Sequence, residues 1–227
     1  VLIPARNEAH TIARCLDGVL AQEYPAYEVI VVDDASTDGT GAILARYARQ
    51  HSRLRVLNSA GPPPGWTGKA NACQQAAAAA RGEWLLFLDA DTVPQAGLIA
   101  ALLHRSQRQQ VDLLTVFPFL ELESFWERAV LPPFRAILHA TYPFRRLNAP
   151  DVRPDEVAAN GQCMLFRSAA YHAIGGHGAV QAAVLEDVHL ARATRAAGYR
   201  TGAAEGSTYL RVRMYTNRRE VFEGLTK

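Results

Sequence analysis

The chain has 227 residues, enough for one large domain, and is 49% hydrophobic and 20% charged, the ordinary balance of a globular core. A net charge of +2 is too small to mark a nucleic-acid partner. Cys15, Cys73 and Cys163 lie far apart with no CxxC spacing, which excludes a zinc ribbon or a disulfide framework and fits single thiols of a reducing compartment.

The chain opens directly on Val1-Leu2-Ile3, without a signal peptide or an initiator Met, so a piece of a longer protein is expected. Val1 to Pro4 predicts a strand running into a loop, and Ile12, Cys15, Leu16, Val19 and Leu20 have helical spacing. Glu28 to Val32 predicts a buried strand stopped by Asp33-Asp34, followed by turn residues Ala35 to Thr40 and a helix through Ile43, Leu44 and Tyr47. Leu54 to Leu57 is a short strand. Gly61-Pro62-Pro63-Pro64-Gly65 can only be loop, and Ala70 to Ala80 is a strong helix former. Five apolar residues, Trp84 to Leu88, form a buried strand ending in Asp89-Ala90-Asp91. Beyond it, Val111 to Leu120 and Cys163 to Phe166 are strand-like, and Leu185 to Ala197 is helical with Gly198 as its stop. No repeat or low-complexity linker divides the chain.

Alternating strands and helices predict an α/β fold, a doubly wound, mostly parallel sheet flanked by helices. Right-handed crossovers then bring Asp33-Asp34 and Asp89-Asp91 to one sheet edge. Two hard oxygen donors one residue apart suit Mg²⁺ or Mn²⁺, with open positions for a diphosphate. The plainer alternative is a polar turn with two aspartates. Lys69 follows a glycine-containing loop and opens a helix, so an ammonium and a free helix end point the same way; a solvated surface lysine is its ordinary fate. Glu186-Asp187 also opens a helix, where acids are favoured for capping alone.

Ile3-Pro4-Ala5-Arg6-Asn7-Glu8, Val31 to Thr40, Asp89-Ala90-Asp91 and Glu186-Asp187, in this order, resemble family 2 glycosyltransferases of the GT-A fold. The finer resemblance is to bacterial membrane-associated members acting on carotenoids and hopanoids, carried by Pro64 to Lys69, Asn160-Gly161-Gln162 and Arg213-Met214-Tyr215. The resemblance implies a single GT-A catalytic domain over residues 1–227, with membrane-spanning segments beyond its C-terminus. It implies a hexosyltransferase that moves one sugar, with inversion, from a nucleotide diphosphate-sugar, UDP by default, to a hydroxyl or carboxyl of a lipid-type acceptor. Pro4, Arg6, Glu8, Asp33, Asp34, Lys69 and Asp89 would bind the nucleotide, and Lys69 and Arg213 the diphosphate. Asp91, with Asp89, would hold a divalent metal, Mg²⁺ or Mn²⁺. Asp187 would be the base, oriented by Glu186. The Gln-x-x-Arg-Trp segment of processive members is absent from this sequence, which argues against a polysaccharide synthase.

Phe125 to Leu147 mixes aromatics with Arg128, Arg135, Arg145 and Arg146. It reads equally as an interfacial amphipathic stretch or as a core-packing helix pair broken at Pro132-Pro133 and Pro143. The first alternative fits a lipid acceptor and a protein at the cytoplasmic face of the cell membrane. A polyprenyl-phosphate transferase and a non-catalytic nucleotide-sugar-binding domain are the rival functions.

Overall fold

The computed structural model describes residues 1–215 and 218–225. The first half alternates as expected: β1 (Leu2–Ala5), α1 (Ile12–Leu20), β2 (Val29–Asp34), α2 (Thr40–Gln50), β3 (Leu54–Ser59), α3 (Gly68–Ala79) and β4 (Trp84–Leu88). It continues through β5 (Thr92–Pro94), α4 (Leu98–Gln109), β6 (Leu113–Phe117), β7 (Phe119–Leu120), α5 (Phe125–Thr141) and α6 (Phe144–Leu147). The remainder is β8 (Cys163–Arg167), α7 (Ser168–Ala173), α8 (Glu186–Ala196), β9 (Thr201–Glu205), β10 (Leu210–Val212) and α9 (Arg218–Leu225).

A seven-stranded sheet runs β3-β2-β1-β4-β8-β6-β9, and a three-stranded sheet runs β5-β10-β7. Within the large sheet β8 is antiparallel to both neighbours, so the sheet is mixed. Alternation along each strand divides the core. Ile3, Val31, Leu86 and Leu88 face α1, α2 and α4 through Leu16, Leu44 and Leu98. Leu2, Ile30, Val32 and Phe87 face α3, α7 and α8 through Ala76, Tyr171 and Leu190. The alanines of α3 leave little side chain between that helix and the sheet.

Two expectations change. The run Val111 to Leu120 is not one strand. Pro118 has no N–H for a continuing ladder, and the chain switches there from the large sheet to the small one. The stretch Phe125 to Leu147 breaks at Pro143, as expected, but not at Pro132-Pro133. The two missing donors would have met the carbonyls of Arg128 and Ala129, both exposed residues on the solvent side of the helix, and α5 continues. A capping box holds its start: Ser124 Oγ accepts from the Glu127 N–H at 3.3 Å, and the Glu127 carboxylate accepts from the Ser124 N–H at 2.5 Å.

Candidate active site

Strands β1, β2 and β4 run parallel, so their C-terminal ends share one edge. β8 reaches that edge by its start: Leu88 pairs with Cys163, and the Gln162 carbonyl accepts from the Asp89 N–H at 3.1 Å. A cleft of about 370 Å³ opens there, lined by Pro4, Arg6, Glu8, Asp34, Gly68, Lys69, Asp89 and Asp91. Of the residues expected around a nucleotide, Asp33 stays out of this lining. Its carboxylate accepts from the Ser36 N–H at 3.1 Å and closes the turn after β2. Asp38 is likewise spent locally, accepting from Thr40 and from the Ala9 N–H.

Lys69 stands at the centre. Thr67 caps α3 by accepting from the Ala70 N–H at 3.2 Å, which sets Lys69 in the first turn. Its ammonium lies 2.9 Å from Asp89 and 3.1 Å from Glu186. Burial works against the charge on Lys69, but these two carboxylates outweigh it and hold the ammonium above its ordinary range. Lys69 therefore joins the end of β4 to the start of α8.

Asp91 has a buried carboxylate oxygen with no hydrogen-bond partner. Burial, then the charges of Asp89 and Glu8, push its carboxyl up to about 7. Glu8 is also raised, by burial first, although Thr11 donates to it at 2.5 Å. The unpartnered buried oxygen of Asp91 is a hard donor of the kind a divalent cation would satisfy. Among the described residues no group of three or more His, Cys, Asp or Glu is gathered tightly enough to hold a metal alone.

Asp187, in the first turn of α8, accepts from the Gly161 N–H at 2.7 Å and from the Val188 N–H at 2.8 Å. Burial first, and then Glu186, raise its carboxyl above the usual range, which strengthens it as a proton acceptor. Arg213 is not brought to the cleft. It pairs with Glu123 at 2.8 Å and with Glu127 at 3.4 Å, Glu127 being fully buried at the start of α5.

Two glycines set how closely the cleft residues pack. A Cβ on Gly68 would stand 2.5 Å from the Asp34 carboxylate. One on Gly161 would stand 3.3 Å from both the Asp187 carboxylate and the Lys69 ammonium. His177, which has no metal-ligand spacing in the sequence, is buried, its ring nitrogen 2.7 Å from the Tyr171 hydroxyl.

A parallel-edged cleft with paired aspartates, a lysine at a helix start and a raised carboxylate beyond it defines a nucleotide-sugar transferase architecture. The family model described as glycosyl transferase family 2 matches residues 1–175, and the chain belongs to that family. The 4,4'-diaponeurosporenoate glycosyltransferase of Staphylococcus aureus strain MRSA252 is 29% identical over 232 aligned positions, covering 100% of this chain and 59% of that protein. Glycosyltransferase GlyG of Streptococcus pneumoniae serotype 4 is 30% identical over 114 residues, 50% of this chain and 36% of that one. The chain thus spans 59% or less of the length of these curated relatives. Among solved structures, the mannosyltransferase PcManGT of Pyrobaculum calidifontis, in complex with GDP-Man and Mn²⁺, superposes with a TM-score of 0.71 at 23% identity, over 95% of this chain and 56% of that one. Glucosyl-3-phosphoglycerate synthase of Mycobacterium tuberculosis, in complex with Mn²⁺, UDP and glucosyl-3-phosphoglycerate, gives 0.58 at 22% identity, over 98% and 73%. These likenesses show a GT-A-like fold.

Proposed function

We propose that this chain is the catalytic domain of an inverting glycosyltransferase that moves one sugar from a UDP-sugar to a lipid-type acceptor. The carrying observation is convergence. Asp34, Lys69, Asp89 and Asp91 from the donor motifs stand at the same sheet edge as Asp187, with Lys69 bridging Asp89 to Glu186.

Pro4, Arg6, Glu8 and Asp34 receive the base and ribose, with Asp33 holding the turn that positions Asp34. Arg6 already leans on Asp34 at 3.5 Å. Lys69 exchanges a carboxylate for the diphosphate when the donor enters, and the start of α3 adds its N–H groups. Asp91, helped by Asp89, would hold Mg²⁺ or Mn²⁺, which supplies Lewis-acid compensation for the leaving diphosphate. The acceptor oxygen attacks the anomeric carbon from the face opposite the diphosphate. Asp187 takes its proton as the bond to the diphosphate breaks, so the anomer inverts. The expected diphosphate role of Arg213 gains nothing from its pairing with Glu123 and Glu127.

The lipid-type acceptor rests on the carotenoid-acid relative and on the outward face of α5, where Phe125 is 73% and Ile137 66% exposed. Such a face, flanked by exposed Arg128 and Arg145, suits an anionic membrane surface. We place the protein at the cytoplasmic face of the cell membrane. Among the described residues no helix is long and apolar enough to cross a membrane. The chain spans 59% of the length of that carotenoid-acid relative.

Calorimetric titration of UDP and GDP, with and without Mn²⁺, tests the donor site. UDP binding that needs the metal and disappears in Asp91→Ala supports the reading. Metal-independent binding, equal binding by a folded Asp91→Ala variant, or no binding of either nucleotide overturns it.

A further inference from the structure

Beside the donor cleft lies a second, apolar pocket of about 110 Å³. Its walls are Phe117, Leu120, Leu131, Phe134, Leu138 and Met214, from β6, β7, α5 and the segment after β10. Arg135 also lines it, but its guanidinium is spent on the Pro118 carbonyl and on Glu205, each at 2.7 Å. The pocket therefore offers no free charge from that wall.

The polar end of the pocket is what distinguishes it. Asn160 and Gln162 line it there. They lock one another, the Gln162 N–H donating to the Asn160 side chain at 2.9 Å and the Asn160 amide to Gln162 Oε1 at 3.3 Å. Gly161, between them, is the residue whose N–H holds Asp187. Tyr215 also lines the pocket and lies within electrostatic reach of Asp91. The opposite end leads outward, because Phe134 is both a wall of the pocket and 48% exposed on α5.

We infer that this pocket seats the first carbons of the acceptor's aliphatic chain, next to the reacting oxygen, while the rest of the chain runs out along α5. The inference rests on the transferase reading above and adds where the acceptor lies. The volume admits only a short apolar segment, and the Asn160-Gln162 rim leaves the oxygen on the Asp187 side. Apolar walls with polar groups confined to one end are the anatomy of a site for an amphiphile.

The test uses geraniol, a short aliphatic alcohol, titrated into the full chain in detergent-free buffer and followed by saturation-transfer NMR, with glycerol as the polar control. Met214→Trp fills the pocket from its exposed side, and Leu138→Trp fills it from α5. Geraniol should bind and glycerol should not. Both variants should weaken geraniol at least tenfold and leave the affinity for UDP with Mn²⁺ within twofold. Should one variant misfold, the other decides. Geraniol binding indifferent to a folded variant would place the lipid on the outer face of α5 and overturn the inference, as would no geraniol binding by a chain that binds UDP. Loss of UDP binding in the unmodified chain would instead overturn the transferase reading on which the pocket depends.

Discussion

On the nucleotide side of the cleft, Lys69, Asp34, Asp89 and Glu186 are held by partners 2.9 to 3.5 Å away, each carried on a strand end or in the first turn of a helix. On the α5 side, Phe125, Phe134 and Ile137 turn outward, and the helix runs through two prolines. Charged chemistry needs groups placed to fractions of an ångström, so it is built on the rigid sheet edge. Apolar contact is non-directional and needs only area, so a surface helix supplies it.

The sharpest break between the two sides should come from Asp187→Asn. It keeps the shape of the side chain but cannot take a proton, so sugar transfer should fall about 100-fold or more while binding of UDP with Mn²⁺ persists. A steady-state rate assay beside calorimetry reads both. Transfer that survives the substitution would point to an acceptor that is already ionised, such as a phosphate.

Gly68→Ala comes next. Its methyl group would enter within 2.5 Å of a carboxylate that is 2% exposed and cannot easily retreat. Nucleotide affinity should drop about tenfold, the equivalent of roughly 1.4 kcal/mol. Unchanged affinity would show that Asp34 does not meet the donor.

Asp91→Asn should act on stability in the opposite sense. The Asp91 carboxyl is pushed up to about 7, so the folded state binds its proton more tightly than the unfolded chain does. The contribution of Asp91 to wild-type stability must then fall as pH rises from about 4, the ordinary carboxylate value, to 7, and stay low above it. Asparagine removes that penalty. In chelator, the variant should melt several degrees higher than wild type at pH 8, with the gap closing by about pH 4. A gap that grows on acidification would refute the assignment.

Mildest for the folded chain should be the double substitution Phe125→Ser and Ile137→Ser. Both side chains are largely exposed, so the melting temperature should move by no more than the equivalent of about 0.5 kcal/mol. Flotation with phosphatidylglycerol vesicles should nevertheless be lost. Retained flotation would remove α5 from the membrane reading.

The same contrast explains what could be read from the sequence. The placement of Asp34, Asp89 and Asp91 at one sheet edge is legible because each ends or closely follows a strand, whereas Asp33, one residue before Asp34, closes the local turn instead; the strand-helix alternation as far as β4 follows directly. The direction of β8 is not legible, since Cys163 to Phe166 is an apolar run that fits either orientation. β5 and β10, three residues each, lie below any periodic signal. The spacing of Leu98, Ile99, Leu102 and Ser106 does mark α4, a signal that strand counting leaves unused. Arg213 shows the limit at single residues: its partner Glu127 is 86 positions away, and no local pattern announces it. The continuity of α5 depends on which side of the helix meets solvent, which Pro132-Pro133 alone does not tell.

The antiparallel entry of β8 has a consequence for how such a protein can diversify. β6 ends and β8 begins at the same edge, as neighbours in the sheet, with Leu113 paired to Phe166 and Thr115 to Met164. Everything between them, α5 included, departs and returns through one doorway. Loop closure grows costlier only slowly with length, so that excursion can lengthen, shorten or be exchanged with little strain on the strands beneath it. A graft of residues 122–159 from a relative with a different acceptor, leaving β7 and the Asn160-Gly161-Gln162 turn in place, should therefore behave as a cassette, carrying a new preference onto an unaltered donor half.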